Sequence, residues 1–197
     1  AFFAESGCRL SDHSLERVAF VLGDPHVAFD KAMAGVLPTV EEADAFRSAV
    51  MLHLGGEYKK HNFAMQLHIG ALRNNNTRMF RKLGADAGFD SINDFRVAEG
   101  LSRLLDNMDS GAGLPKTILY TLNPKDNYPL ATLMGAFQKA PYCSKIQLGS
   151  GWWFNDQRDG MLEQLKALGL MDDNAFTCAC YLDQVGNTPK KGDVLSW

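Results

Sequence analysis

The chain has 197 residues, 46% hydrophobic and 22% charged, which is the profile of a globular protein long enough to bury a core as one domain. A formal net charge of -3 without a basic run gives no footing for nucleic acid or a membrane surface, and its short, interrupted apolar runs fall below the roughly 20 residues of a bilayer-spanning helix. Ala1-Phe2-Phe3-Ala4-Glu5 lacks the basic-then-apolar order of a secretion signal, and the missing initiator methionine points to a processed or trimmed chain. Cys8, Cys143, Cys178 and Cys180 include one Cys-x-Cys pair with no histidine nearby, so reduced thiols in a cytoplasmic protein are expected rather than a zinc site.

Phe2 to Arg9 reads as a strand running into a polar loop, Ser11-Asp12-His13-Ser14. Asp12 there either caps a following helix or takes part in chemistry. Glu16 to Leu22 reads as helical until Gly23-Asp24-Pro25 breaks it, and His26 to Val36 as a short helix. Thr39-Val40-Glu41-Glu42 fits a capping box, after which Ala43, Phe46, Ala49, Val50 and Leu54 recur at helical spacing. Lys59, Lys60 and His61 suit the negative pole at that helix's end.

Met65 to Ile69 then reads as a strand whose alternation puts Leu67 and Ile69 on one face, and Gln66 and His68 on the other. A polar pair on a buried strand needs hydrogen-bond partners, a metal or a ligand; a histidine satisfied within the core is the plain alternative. Arg73 and Arg78 bracket a polar loop where α/β folds keep their ligand sites, at a strand's C-terminal end. Asn74, Asn75 and Asn76 either belong to that loop's chemistry or cap the helix that follows from Asn76 to Lys82.

Further on, Leu101, Leu104, Leu105 and Met108 form the stripe of an amphipathic helix. Thr117 to Leu122 is a β-branched and aromatic strand ending in Asn123-Pro124-Lys125-Asp126-Asn127, with Leu130 to Phe137 as the helix after it. Lys145 to Leu148 is the next strand and opens into Gly149-Ser150-Gly151-Trp152-Trp153-Phe154-Asn155-Asp156. The last helix turns Met161, Leu162, Leu165 and Leu168 inward, with Asp156 as its cap and Gly169 near its end. This alternation predicts an α/β fold with parallel strands under helices, its polar loops converging on one rim. Four such units are about half of the eight in a closed barrel, so the fold expected is a partial (β/α)8 barrel of the TIM type.

Met65-Gln66-Leu67-His68-Ile69-Gly70-Ala71-Leu72-Arg73-Asn74-Asn75-Asn76-Thr77-Arg78-Met79-Phe80 resembles uronate isomerase, the glucuronate isomerase group of the amidohydrolase superfamily. So do Gly88-Phe89-Asp90-Ser91-Ile92, Leu101 to Leu105, Leu114 to Ile118 and Gly149 to Gln157. Gly7-Cys8-Arg9-Leu10-Ser11-Asp12-His13 is similar to the family's preceding strand end. The resemblance covers about residues 2–170, giving a division into a partial barrel at 1–170 and an unassigned tail at 171–197.

The resemblance implies isomerisation of D-glucuronate to D-fructuronate and of D-galacturonate to D-tagaturonate. Such aldose–ketose chemistry needs an acid/base group beside the carbonyl carbon, stabilised enediol oxygens and a cation for the carboxylate. His68, with Asp12 and His13 from the neighbouring loop, is implied in catalysis; Arg73 is implied as the carboxylate's partner. Trp152, Trp153 and Asn155 are implied at the sugar, although the tryptophans could equally be core. The family implies a divalent metal, zinc foremost, with His68 near it.

Two family motifs do not occur in this sequence. No His-x-His is present, and the Asp-Ser-Arg-type motif of the last strand is missing, Asp183 being followed by Gln184. Ala85 also stands where the family tends to have proline. Two readings follow: an isomerase, or a portion of one, that does not turn over uronates or hold its metal alone; or a non-catalytic half-barrel serving binding or assembly. Open strand edges in a half-barrel imply a homo-oligomer or a complementing chain. A hydrolase of the same superfamily is less favoured, since Trp152-Trp153 points to the uronate group.

Overall fold

A computed structural model describes residues 2–137 and 145–169; Cys143, Cys178, Cys180 and the expected tail at 171–197 lie outside the described residues. In chain order the elements are α1 (Phe2–Glu5), β1 (Leu10–Leu15), α2 (Pro25–Met33), α3 (Val40–Lys60), β2 (Ala64–Ile69) and β3 (Ala71–Leu72). There follow α4 (Thr77–Leu83), β4 (Ser91–Ile92), α5 (Ala98–Ser110), β5 (Lys116–Thr121), a 3-10 turn (Pro124–Asp126), α6 (Asn127–Gly135), β6 (Ile146–Leu148) and α7 (Arg158–Leu168). No described helix is long and apolar enough to cross a membrane.

The start of the chain differs from the sequence expectation. Phe2–Glu5 forms a helical turn, which Gly7 closes with φ 90. The strand is the polar stretch Leu10-Ser11-Asp12-His13-Ser14-Leu15, expected as a loop. As the first strand in the order β1-β2-β5-β6 it has, among the described residues, a strand neighbour on one side alone, so polar residues can occupy it without being enclosed. Asp12 is therefore a strand residue and caps no helix. Glu16 to Leu22 is not helical either. Val18 and Phe20 are buried two apart, as in extended chain, and the Val21 N–H donates to Ser48 Oγ at 3.0 Å.

The described chain divides into two compact units. The first takes in residues up to Ser11, Val18–Met65 and Arg96–Lys116. Asp24 caps α2 through the His26 N–H, and Thr39 and Glu42 close the expected capping box on α3. Leu101, Leu104, Leu105 and Met108 of α5 are buried, as their spacing predicts. On α3 the buried stripe is Asp44, Ala45, Ser48, Met51 and Gly55. A Cβ at Gly55 would meet the Met108 sulfur at 2.9 Å, so α3 packs closely on α5 there and an added methyl would make the flexible Met108 side chain shift. Phe46, from the stripe the sequence suggested, stacks on Phe29 of α2 and lines an apolar groove of about 550 Å³.

The second unit takes in Asp12–Arg17, Gln66–Phe95 and the chain from Thr117 on. β5 and β6 pair in parallel, with Thr117 opposite Ile146 and Leu119 opposite Leu148. Leu15 O accepts from Gly70 N at 3.1 Å and Ile69 O from Leu122 N at 3.1 Å, which aligns the strand ends. Leu67 and Ile69 are fully buried, while Gln66 and His68 are partly open on the other face. Between β2 and α4 the chain inserts β3, which pairs antiparallel with β4, Ala71 opposite Ile92. Asn76 caps α4 by accepting from the Met79 N–H at 3.1 Å, and Gly84 ends it with φ 87. Gln157, one residue after the expected Asp156, caps α7.

Candidate active site at the strand ends

The face of β2 that carries Gln66 and His68 gathers polar and aromatic side chains from its neighbours. Asp12, alternating outward on β1, places Oδ1 2.6 Å from His68 Nδ1. A carboxylate at that distance accepts from Nδ1–H, which in the neutral ring makes Nε2 the acceptor. His68 is 20% exposed and Asp12 57%, so the pair opens to solvent. Tyr120 of β5 stacks on the imidazole at 4.2 Å between ring centroids and 8° between planes, and its hydroxyl donates to Gln66 Oε1 at 2.8 Å. His68 is thus held along one edge and over one face.

The loop after β6 covers another side. Trp152 meets His68 edge-on at 4.6 Å, and Trp153 lies 6.0 Å from Trp152. The loop can start here because Gly149 has no side chain; a Cβ would sit 2.0 Å from the Tyr120 ring. Asn155 is buried, its amide donating to the carbonyls of Thr121 at 3.1 Å and Leu122 at 3.0 Å, so it ties the loop to the end of β5.

Arg73 follows β3. Its Nη1 donates to Asp90 Oδ2 at 3.1 Å and Asp86 Oδ1 at 3.4 Å, and its guanidinium carbon stands 5.5 Å from the Trp153 ring centroid. A chain of ring contacts therefore runs from His68 through Trp152 and Trp153 to Arg73. The asparagine run divides its tasks. Asn74 takes a left-handed φ of 57, Asn75 donates to Leu72 O and Ser91 Oγ, and Asn76 caps α4. Arg78 lies exposed on the first turn of α4.

Beneath the site a polar layer ties the strand ends together. Asn93 donates to the Glu16 carbonyl, its N–H to Gly70 O at 3.0 Å, and Asn123 donates to Asn93 O at 2.9 Å. Burial pushes the Asp126 carboxyl up, against Lys125 and the Thr121 hydroxyl, which hold it down. His13 alternates to the other face of β1 from Asp12; burial lowers its pKa and the Asp12 charge partly restores it.

Sequence reasoning missed Tyr120 and Asp90 as site residues. Tyr120 had a usable signal, since strand alternation gives it one phase with Ile118. Asp90 lies 17 residues from Arg73, with nothing local to pair them. Among the described residues no group of three or more His, Cys, Asp or Glu side chains could hold a metal ion. His68 supplies one nitrogen, Nε2, so the described residues alone do not fit the family's divalent metal.

An open parallel sheet under helices, with a histidine, an arginine and two indoles at its strand ends, is an α/β fold forming part of a (β/α) barrel. The comparisons agree with that class and narrow it. A family model described as glucuronate isomerase matches residues 1–173. The uronate isomerase of Clostridium perfringens is 55% identical over 170 residues, covering 85% of this chain and 36% of that protein. The uronate isomerase of Histophilus somni is 54% identical, covering 86% of this chain and 38% of that protein. Among solved structures, the uronate isomerase of Thermotoga maritima superposes with TM-score 0.77 at 34% identity, over 87% of this chain and 37% of that one. The glucuronate isomerase of Caulobacter crescentus superposes with TM-score 0.73 at 26% identity, over 86% of this chain and 35% of that one. The chain belongs to the glucuronate isomerase family, and it spans 36% to 38% of the length of these two curated relatives.

Proposed function

We propose that this chain carries part of the active site of a uronate isomerase, interconverting D-glucuronate with D-fructuronate and D-galacturonate with D-tagaturonate. The observation that carries the reading is the His68–Trp152–Trp153–Arg73 run, with Asp12 fixing the imidazole. A uronate offers a carboxylate at one end and a carbonyl beside a hydroxyl at the other. In this reading Arg73 takes the carboxylate, the indoles wall the sugar, and His68 handles protons at the reacting oxygens. With Nδ1 committed to Asp12, Nε2 is the atom that accepts the C2 hydroxyl proton and delivers it to the oxygen on C1. The C2 proton leaves to a separate base and is returned at C1 by way of the enediol. Asn155 serves by holding the indole loop, and His13 is retained as a second, partly buried imidazole on β1.

Donors beyond the described residues are needed for a divalent metal, zinc foremost. Residues 1–170 form the barrel portion in this proposal and 171–197 lie apart from it. The partners in this proposal are a uronate substrate and a second copy or complementing chain, and the compartment is the cytoplasm. The second reading is a non-catalytic half-barrel acting in binding or assembly.

Grafting separates the two. Residues 1–170 are exchanged for the matching stretch of the Clostridium perfringens uronate isomerase, and ketose formation from D-glucuronate is followed. The isomerase reading expects turnover, and a loss of about 10²- to 10⁴-fold on His68→Gln, the range of a removed acid/base group. A folded graft that is inactive, or one that His68→Gln leaves untouched, refutes it. The isolated chain with zinc or manganese is expected to give no turnover.

A further inference from the structure

Two carboxylates touch Arg73, and they are not equivalent. The Asp90 side chain is 4% exposed; its Oδ2 accepts from Arg73 Nη1 at 3.1 Å while its Oδ1 accepts from the Asn74 N–H at 2.7 Å. Asp86 reaches the same Nη1 at 3.4 Å from a side chain that is 82% exposed. Two hydrogen bonds, one of them to the backbone beside Arg73, fix the Asp90 carboxylate; one long contact from a solvated side chain does not fix Asp86.

Trp153 adds a second constraint. Its ring lies 5.5 Å from the guanidinium carbon and stacks on Phe154 at 5.4 Å, while its backbone holds a φ of 45. A bulky side chain keeps that left-handed conformation only where its surroundings enforce it, and such residues gather at binding sites. Arg73 therefore has one nitrogen tethered and one face covered. Its Nε and Nη2 make no hydrogen bond among the described residues, which leaves the fork that binds a carboxylate through two parallel bonds.

We propose that Asp90 is a positioning residue, orienting Arg73 so that its open edge meets the carboxylate of a sugar acid, and that Asp86 has no share in that orientation. The inference rests on the proposed role of Arg73 as the uronate's carboxylate partner. It adds the residue that makes the arginine a fixed receptor instead of a swinging one, since a tethered guanidinium loses less freedom on binding.

The test uses the full chain and two readouts. Side-chain nitrogen NMR reports whether rotation of the Arg73 guanidinium is slowed, with no ligand present. Titration with D-glucuronate, and with D-glucose as the probe lacking a carboxylate, reports the consequence. In the unsubstituted chain the Arg73 Nη signals are expected to be resolved; signals averaged by free rotation overturn the proposal without any variant. Asp90→Asn is expected to merge them and to weaken D-glucuronate about tenfold or more, the loss attached to one misplaced charge-assisted hydrogen bond. D-glucose binding should not change, Asp86→Asn should do neither, and Asp90→Glu should recover part of the loss. Resolved signals in Asp90→Asn, or equal effects from Asp86→Asn, overturn the proposal. Arg73→Lys leaving D-glucuronate binding intact would instead strike the carboxylate role of Arg73, a different failure read from a different variant.

Discussion

The helical unit and the strand-end site use polar residues in different ways. On α3 many polar contacts are local, Thr39 with Glu42, Arg47 with Asp44 and Lys60 with Glu57 each lying three residues apart, beside the longer reaches of Lys31 to Glu42 and of the Val21 N–H to Ser48. The packing of α3 on α5 is apolar and close, as where Met108 lies against Gly55. At the strand ends the polar contacts that shape the site span longer stretches of chain. Asp12 meets His68 across 56 residues, Tyr120 meets Gln66 across 54, and Asn155 reaches Thr121 across 34. Local polar pairs steady an element that packing already places, whereas distant polar pairs decide which groups face one another. Substitutions in the first unit should therefore register as stability, and those in the second as geometry at His68.

The sharpest way to break that contrast lies in the α5 core. Leu105 is fully buried, and Leu105→Ala is expected to cost about 2–5 kcal/mol of unfolding free energy, read from the midpoint of a urea titration. The His68 Nδ1–H signal of the chain that remains folded should be unmoved; a shifted signal would show that the two units do not divide their tasks as described. Gly149→Ala tests the other side. Its Cβ would overlap the Tyr120 ring, so the ring must move at a cost of about 1–3 kcal/mol. The diagnostic is the ring-current shift on the His68 carbon-bound protons, which should collapse towards the value in Tyr120→Leu. Retention of that shift would mean the loop moves and the stack does not. Smaller again, Thr39→Ala removes one half of the capping box at α3 and should cost about 0.5–2 kcal/mol by the same titration, with the His68 signals unchanged.

The same contrast accounts for what could be read from the residues alone. The α3 start, the α5 stripe, the alternation of β2 and the glycine-led loop after β6 all carry their cause within a few positions, and each stands where its pattern put it. β1 did not, because Ser11-Asp12-His13-Ser14 has the composition of a loop and is a strand only through its pairing with β2. Register decides which side chains stand opposite each other, and a single chain does not state its register. His68 and Arg73 could be named from their placement at a strand end. Asp12 could be suspected, but its partner could not, and Asp90 had no local mark at all. The family resemblance supplied roles for His68 and Arg73 and was silent on the tether that holds the arginine.

The smallest expected effect belongs to His13, and its sign follows from the direction of its shift. Burial lowers the folded-state pKa below the ordinary value of 6.5, with Asp12 opposing. Between 6.5 and that lowered value the unfolded chain binds more protons than the folded one, so folding stability falls as pH drops through this window. Above the window both states carry a neutral imidazole and the term vanishes. His13→Gln should therefore flatten part of the decline in melting temperature on the acid side of neutrality and leave the neutral-side plateau in place. Asp12→Asn removes the opposing charge, so it should deepen the acid-side loss attributed to His13 while also releasing His68 Nδ1. The two effects separate by site: the His13 ring signals report the first and the His68 Nδ1–H signal the second. An unchanged acid-side slope in His13→Gln would assign the pH dependence elsewhere.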